Sequence, residues 1–246
     1  MLPVKNFINF VEQHSLFDSN SKVLAAVSGG MDSVLMVHLL KSAGFNFGIA
    51  HCNFQLRGDE SNGDETFCRQ LAEQFDIPFH VTHFDTSLYA SENKVSTQMA
   101  ARTLRYQWFE EIRQWEGYTA IALAHHQNDT IETILLNLTR GTGIAGLHGI
   151  LPKNGTLVRP LLFLSRDEIQ QHISELQIPH REDSSNSSTK YARNKIRLEI
   201  IPKLKELNPA LEQTFENNLA RFRELEELLE LRVAELKNKL IVVNEQ

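Results

Sequence analysis

Short apolar runs alternate with longer segments of helical periodicity between residues 22 and about 140. The apolar runs predict four strands, at Val23–Val27, Phe45–Ala50, Phe79–Phe84 and Thr119–Leu123. The periodic segments predict four helices, at Asp32–Ala43, Glu60–Phe75, Thr97–Trp115 and Asn128–Thr139. Because strands that alternate with helices form right-handed crossovers, the sequence predicts an α/β fold with a doubly wound parallel sheet.

The pattern is less regular after residue 140. Leu157–Leu162 predicts a last strand, and Pro160 favours an edge position because proline has no amide hydrogen for a neighbouring strand. Ser165 and Glu168 form a capping box, which predicts a helix that ends at about Leu176.

The final third of the chain is predicted to be mainly helical. We expect a polar loop at Ser184–Thr189 and a basic helix from about Ala192 to Leu207, which Pro202 interrupts. A charged amphipathic helix follows Pro209. Its leucines at helical spacing predict an apolar stripe that needs a packing partner: Leu225, Leu228, Leu229 and Leu236.

The chain of 246 residues is long enough for one full core and a small appendage. We expect a nucleotide-binding catalytic domain over residues 1–205. Residues 206–246 are expected to form a helical linker or the start of a further C-terminal region.

Composition narrows the class of protein. Apolar residues make up 41% of the chain and the formal net charge is −6, as in many soluble globular proteins. Met1–Leu16 lacks the pattern of a signal peptide, and no apolar run approaches the roughly 18 residues of a membrane helix. Cys52 and Cys68 are too few for a disulfide framework or a metal knuckle, so we expect them to be structural and unreactive. These features predict a cytoplasmic protein with no membrane partner.

The mean charge hides a local basic excess. Between Arg181 and Lys205 three acidic residues stand against seven basic ones: Arg181, Lys190, Arg193, Lys195, Arg197, Lys203 and Lys205. Since local charge decides where a phosphate backbone binds, this segment is a candidate nucleic-acid contact.

The turn after the first predicted strand carries the clearest chemical signal. Ser28, Gly29, Gly30, Met31, Asp32 and Ser33 lie between that strand and a helix. A glycine-rich turn at a helix N-terminus suits phosphate, because its N–H groups point to the ligand at the positive end of the helix dipole. The Lys-Ser/Thr ending of an ordinary P-loop is missing. A carboxylate such as Asp32 beside polyphosphate requires a bridging cation such as Mg²⁺.

A second polar cluster follows the fourth predicted strand. His126, Asp129, Glu132 and Thr133 share about a third of the helix circumference. Asp129 is a candidate to share Mg²⁺ with Asp32, and Glu132 is a candidate to hold a cationic amine. An ordinary helix N-terminus with favourable dipole–carboxylate contacts is the alternative.

Three further groups of residues are weaker candidates for ligand contacts. Asn53 ends the second predicted strand, where adenine or ribose contacts fall in such sheets. Arg140 and Gly141 open a glycine-rich loop that either closes over a nucleotide or ends the helix. Arg102 and Arg105, three residues apart on one helical face, can clamp phosphate or carboxylate, although such pairs are often only solvated.

The loop at Ser28–Ser33 resembles the PP-loop of ATP pyrophosphatases, which cut ATP between the α and β phosphates. Over residues 20–205 the chain resembles the bacterial tRNA(Ile)-lysidine synthetases. The specific part of this resemblance is the pattern Asp183, Asn186, Arg193, Asn194 and Arg197. Other matching segments are His51–Arg57, Ala101–Tyr106, His126–Thr133, Arg140–Gly143 and Arg159–Leu162.

The resemblance implies an ATP- and Mg²⁺-dependent ligase that joins L-lysine to the wobble cytidine of tRNA(Ile) with a CAU anticodon. It implies catalytic roles for Asp32, Asp129, Glu132 and Arg102, with Asp32 and Asp129 as metal ligands. Lysine binding is implied for Arg105, Asp129 and Glu132. Contacts to the tRNA anticodon arm are implied for Asn186, Tyr191, Arg193, Asn194, Lys195 and Arg197.

The chain departs from the family pattern at Phe54, where relatives carry a second histidine, and many relatives continue into C-terminal domains. Three alternatives stay open at this point: a tRNA thiolase on the same scaffold, an amidotransferase-type synthetase, and an ATP-binding module that catalyses nothing. A tRNA thiolase related to 2-thiocytidine synthesis is expected to carry Cys-x-x-Cys pairs, which Cys52 and Cys68 do not form. A homodimer is also left open.

Overall fold

The structure, a computed structural model, describes residues 1–182 and 192–240, without the side chains of Asn238 and Leu240. The chain divides into two compact units. Unit one comprises Met1–His126 and Pro152–Asp183, and unit two comprises Gln127–Leu151 and Ser184–Gln246. The expected polar loop at Ser184–Thr189 lies outside the described residues.

Unit one is built on a six-stranded sheet in the order β3-β2-β1-β4-β6-β5. All neighbouring strands are parallel except the pair of β5 and β6. The strands are β1 (Lys22–Ala26), β2 (Asn46–Asn53), β3 (Phe79–His83), β4 (Ala120–Ala122), β5 (Lys153–Asn154) and β6 (Leu157–Val158). The predicted α/β fold with a mainly parallel sheet is confirmed.

Side-chain alternation along β1 explains why the sheet is covered on both faces. Val23 and Ala25 point into a large apolar cluster, whereas Leu24 points into a second cluster on the opposite face. The larger cluster also contains Phe7 and Ile169 from helices, and the smaller one contains Phe109. Burial on both faces accounts for the continuous apolar run that marks this strand in the sequence.

Six helices lie in the described part of unit one. They are α1 (Val4–Gln13), α2 (Met31–Ser42), α3 (Asp59–Phe75), α4 (Thr86–Glu92), α5 (Thr97–Trp115) and α7 (Arg166–Glu175). The label α6 is used for the helix of unit two that follows β4 in the chain. The capping box of α7 is formed as predicted, with the Ser165 hydroxyl and the Glu168 carboxylate each bonded to the other residue's backbone N–H.

The sequence did not predict α1 or α4. Helix α1 shows no side-chain hydrogen bond at its cap residue, Pro3, so it lacks the usual N-terminal signal. Helix α4 has only seven residues, too few for a clear period.

The last predicted strand, Leu157–Leu162, is wrong beyond its second residue. Only Leu157–Val158 pairs, and the edge of the sheet is the short antiparallel strand β5. The chain turns directly afterwards, with Leu162 N–H donating to Arg159 O at 3.4 Å and Leu164 N–H to Leu161 O at 3.0 Å. Pro160 has no amide hydrogen, which agrees with the end of strand pairing before it.

Unit two is helical in its described part. It contains α6 (Gln127–Arg140), a 3-10 turn at Ile144–Gly146, α8 (Ala192–Lys195), a π-helical turn at Ile196–Ile200, α9 (Ile201–Leu207) and α10 (Leu211–Leu240). Its core joins these helices through Ile131, Ile196, Ile201 and Leu211. Pro202 lies at the first turn of α9, so the predicted basic helix is interrupted there as expected.

Helix α10 leaves most of its leucines exposed. Leu225, Leu228 and Leu229 are each more than half exposed, and Leu236 is 37% exposed. Among its described side chains, the buried ones lie in the first part of the helix, at Leu211 and Leu219. No helix in the described residues is long and apolar enough to cross a membrane.

Candidate nucleotide and tRNA site

The glycine-rich loop lies where the strand order of the sheet reverses. Strand β1 has β2 on one side and β4 on the other, and the chain moves outward in both directions from it. The loop Ser28–Ser33 follows the carboxyl end of β1, while His125 and His126 follow β4. Ligands of open α/β sheets bind at such a switch point, so the geometry supports a nucleotide site here.

Glycine is required in this loop by backbone geometry. Gly29 has a φ of +92°, and Gly30 caps α2 in an extended conformation. The Ser33 hydroxyl donates to Gly30 O at 2.9 Å, and Ser28 N–H donates to Ser33 Oγ at 3.2 Å. These bonds fix a tight turn that directs the first N–H groups of α2 outward, as an anion site needs.

Asp32 lies in the first turn of α2, next to the loop. Its Oδ1 is 3.9 Å from Nε2 of His126, which is almost completely buried. The Asp32 side chain is itself 31% exposed, so it is accessible to a ligand. The structure therefore brings together two residues from the two strongest sequence clusters.

Asn53 ends β2 and is buried in a polar group that the sequence did not predict. Its Nδ2 donates to Asn62 Oδ1 at 3.2 Å and to Glu65 Oε2 at 3.1 Å. His83, at the end of β3, contacts the same Glu65 oxygen at 2.7 Å. Burial raises the pKa of Glu65, but hydrogen bonds from Asn53, Arg69 and His83 outweigh this and lower it overall. Glu65 is therefore a carboxylate that orients Asn53.

Arg102 and Arg105 both lie exposed on α5. The Arg105 guanidinium stands 5.1 Å from the centre of the Phe54 ring, and Arg102 stands 4.9 Å from that of Tyr106. Phe54 in turn stacks on Phe84. Phe54, the departure from the family pattern, thus supports Arg105 through a cation–π contact.

In unit two, two carboxylates of α6 meet two arginines of the basic segment. Arg193 donates to Glu132 Oε2 at 2.7 Å and to Asp129 Oδ1 at 3.1 Å. Arg197 donates to Glu132 Oε1 at 2.5 Å and Oε2 at 3.0 Å, and lies 3.5 Å from Asp129 Oδ1. The Glu132 side chain has no exposed surface, whereas that of Asp129 is 13% exposed. The cluster holds Asp129 and Glu132 in fixed positions.

The other residues predicted to bind tRNA or nucleotide in unit two fall into three groups. Lys195 and Asn194 lie on α8, and Lys195 is exposed. Arg140 is the exposed last residue of α6, and Gly141 ends that helix with a φ of +78°. Asn186 and Tyr191 lie outside the described residues.

The cysteines are poor metal ligands. Cys68 is fully buried and Cys52 is half-buried. Burial raises the pKa of each thiol to about 12, although Arg105 partly opposes this at Cys52. Both thiols are therefore protonated at neutral pH, while metal binding and nucleophilic attack need the thiolate.

Comparison with known proteins identifies the family of the chain. A family model described as a PP-loop domain matches residues 3–204. In fold, the chain is similar to the U34-tRNA thiolase NcsA of Methanococcus maripaludis, with a TM-score of 0.70 and 18% identity over 90% of this chain and 78% of that one.

Two curated relatives named tRNA(Ile)-lysidine synthase carry the more specific similarity. The relative from Bacteroides thetaiotaomicron is 44% identical over 95% of this chain and 55% of its own length. The relative from Chlorobaculum tepidum is 40% identical over 94% of this chain and 72% of its own length. The chain belongs to the tRNA(Ile)-lysidine synthase family of PP-loop proteins. It spans about half the length of relatives such as the Bacteroides protein.

Proposed function

We propose that this chain catalyses the ATP-dependent joining of L-lysine to C2 of the wobble cytidine of tRNA(Ile) with a CAU anticodon. The products are lysidine, AMP and pyrophosphate. The observation that carries the proposal is the loop Ser28–Ser33 at the switch point of the sheet, with Asp32 in the first turn behind it. The names of the relatives support the choice of substrate.

The residues around the loop fit ATP with Mg²⁺. N–H groups at the start of α2 suit phosphate oxygens, and Asn53 and the loop Arg140–Gly141 are the proposed further contacts to the nucleotide. Asp32 is a partly exposed carboxylate, the ligand type that Mg²⁺ prefers, and Asp129 is the proposed second ligand. When bound, Mg²⁺ would neutralise charge on the pyrophosphate leaving group.

The reaction is proposed to proceed in two steps. In the first, the C2 oxygen of the cytidine attacks the α-phosphorus of ATP, the bond to the β-phosphate oxygen breaks, and pyrophosphate leaves. In the second, the ε-nitrogen of lysine attacks C2, the C2–oxygen bond breaks, and AMP leaves. Arg102 is proposed to stabilise negative charge on phosphate during these steps.

The lysine amine must lose a proton before it can attack, so it needs a carboxylate nearby. Asp129 is the better candidate base, because its side chain retains some exposed surface and that of Glu132 has none. We propose that Glu132 contributes to lysine binding through the shape and charge of the cluster that it forms with Arg193 and Arg197. Arg105 is proposed to pair with the lysine carboxylate.

The tRNA anticodon arm is proposed to bind the basic segment. Within its described part, Lys195 and Lys203 are exposed, while Arg193 and Arg197 are directed to α6 and Lys205 pairs with Glu212 at 2.6 Å. Asn186, Tyr191 and Asn194 remain proposed contacts, with Tyr191 as a stacking platform for a splayed base. Because phosphate contacts release counterions, binding should weaken steeply with salt.

Incubation of the chain with Mg-ATP, isotopically labelled L-lysine and unmodified tRNA(Ile) tests the proposal. Nucleoside mass spectrometry is expected to find label on the wobble cytidine. A different result would be AMP that forms with tRNA and without lysine, while no label is incorporated. This result would contradict lysine as the nucleophile and would favour a thiolase. ATP binding without AMP formation would favour a module that binds ATP only.

A further inference from the structure

Asp64, on α3, links two arginines from distant parts of unit one. Its Oδ2 accepts from Arg57 at 2.8 Å, and its Oδ1 accepts from the Nε of Arg181 at 3.0 Å. The Asp64 side chain is nearly buried, while Arg57 and Arg181 are 31% and 43% exposed. The carboxylate is thus enclosed, and the two guanidinium groups reach the surface.

Arg181 also contacts the phosphate loop directly. Its backbone N–H donates to Gly29 O at 2.9 Å. A Cβ atom added at Gly29 would lie 3.3 Å from Arg181 Cγ and 3.6 Å from its Cβ, so the stem of Arg181 packs against the glycine. From this stem beside the loop, the guanidinium extends over α3, where a Cβ atom added at Gly63 would lie 3.0 Å from its Nη2, and Asp64 holds it there.

The charges of the group favour an anion. Asp64 alone would cancel the charge of Arg181, but Arg57 adds a second positive charge and leaves the three side chains with a net charge of +1. A guanidinium held by a carboxylate is already oriented, so little side-chain entropy is lost when it binds phosphate.

We propose that Arg181 contacts the pyrophosphate portion of ATP bound at the loop, and that Asp64 is the positioning residue that holds Arg181 there. This inference rests on the proposed binding of ATP at Ser28–Ser33. It assigns to the chain a cationic contact that would stabilise the charge of the leaving pyrophosphate.

Affinity for ATP and for AMP, measured by titration calorimetry with Mg²⁺ and without tRNA or lysine, tests the contact. Arg181→Gln keeps the backbone N–H to Gly29 and removes only the guanidinium. We expect it to weaken ATP binding about tenfold or more, the size of one lost charged hydrogen bond, and to change AMP binding less than about twofold. Arg181→Lys is expected to recover part of the loss.

The control is Arg232→Gln, which removes an exposed arginine–carboxylate pair of 2.6 Å on α10. It should leave the ratio of ATP to AMP affinity unchanged. Asp64→Asn should lower this ratio, and the double variant Asp64→Asn/Arg181→Gln should be little weaker than Arg181→Gln alone, since Asp64 acts through Arg181.

Equal losses for ATP and AMP in Arg181→Gln would mean that Arg181 only supports the shape of the loop, and would overturn the inference. Unchanged ATP affinity would overturn it as well. Failure of the proposed function gives a different result, because the unaltered chain would then bind no ATP or would bind it without forming lysidine.

Discussion

Glu132 and Arg193 form a 2.7 Å ion pair in which the carboxylate has no contact with solvent. Arg197, four residues further along the helical segment, binds the same carboxylate, so one buried negative charge holds two cations. A buried charge is tolerated only when its ion-pair partners are in place. The loss of the carboxylate or of an arginine should therefore lower the stability of the fold.

Removal of the Glu132 carboxylate should therefore destabilise unit two. We expect Glu132→Ala to lower the free energy of unfolding by about 3 kcal/mol, because both arginines lose their buried partner and keep only Asp129. Urea unfolding followed by circular dichroism measures the change. Glu235→Ala is the control, since it removes only exposed pairs with Arg232 and Lys239 and should cost much less stability. Equal losses in the two variants would contradict the buried cluster.

Asp32→Asn tests the metal role without disturbing the fold. The side chain is partly exposed, so we expect the melting temperature to change by no more than about 2 °C. Formation of AMP with tRNA and Mg-ATP should fall by at least about a hundredfold, because amide oxygen is a much weaker ligand than carboxylate. Unchanged turnover would refute the role of Asp32 as a metal ligand.

Stability is expected to fall between pH 7.5 and 5.5. Burial lowers the pKa of His51 below its ordinary value of 6.5, and it does the same for His38 and His80. Below about pH 6.5 the unfolded chain therefore binds more protons at these histidines than the folded chain does. Each such histidine therefore lowers the free energy of unfolding by at most about 1.4 kcal/mol per pH unit.

The contribution of His51 can be separated from that of the others. Its Nδ1–H donates to Val27 O at 2.8 Å, a bond that an asparagine amide can replace without a titrating group. His51→Asn should reduce the loss of stability between pH 7.5 and 5.5, as measured by urea unfolding at both values. A loss as large as in the unaltered chain would contradict this prediction.

Gly48 in β2 is expected to tolerate no side chain. A Cβ atom there would lie 2.1 Å from the Tyr118 hydroxyl, which also bonds to His80 Nε2 at 2.9 Å. Gly48→Ala should lower the free energy of unfolding by about 1–3 kcal/mol through overpacking. The same substitution in a Tyr118→Phe background should cost less, because the clashing oxygen is gone. An equal cost in both backgrounds would show that the hydroxyl is not the obstacle.

The sheet was predictable because its strands are buried on both faces and separated by periodic helices. Helix α5 matches its predicted bounds, and β1 differs by one residue at each end. The strand at Leu157 was overestimated because an apolar run does not reveal that pairing stops after two residues. Periodicity also did not reveal α1, which has no side-chain hydrogen bond at its cap residue, or α4, which has only seven residues.

The candidate site was also predictable only in part from the sequence. Motifs local in sequence, such as the loop at Ser28 and the cluster at Asp129, were visible because each is contiguous. The contacts between site residues join positions that are distant in sequence, and no local pattern pairs Glu132 with Arg193 or Glu65 with His83. Such pairs arise only when the fold places their helices and strands side by side.

The bond between Arg181 and Asp64 has a consequence for synthesis of the chain, because the two residues are 117 positions apart. On the ribosome, β1 and the turn at Gly29 emerge early, but Arg181 emerges only after most of unit one has been translated. The backbone bond from Arg181 to Gly29 forms no sooner. A nascent chain that ends before Arg181 thus contains the complete glycine-rich motif. It still lacks the residue whose N–H and side chain contact Gly29 in the folded protein.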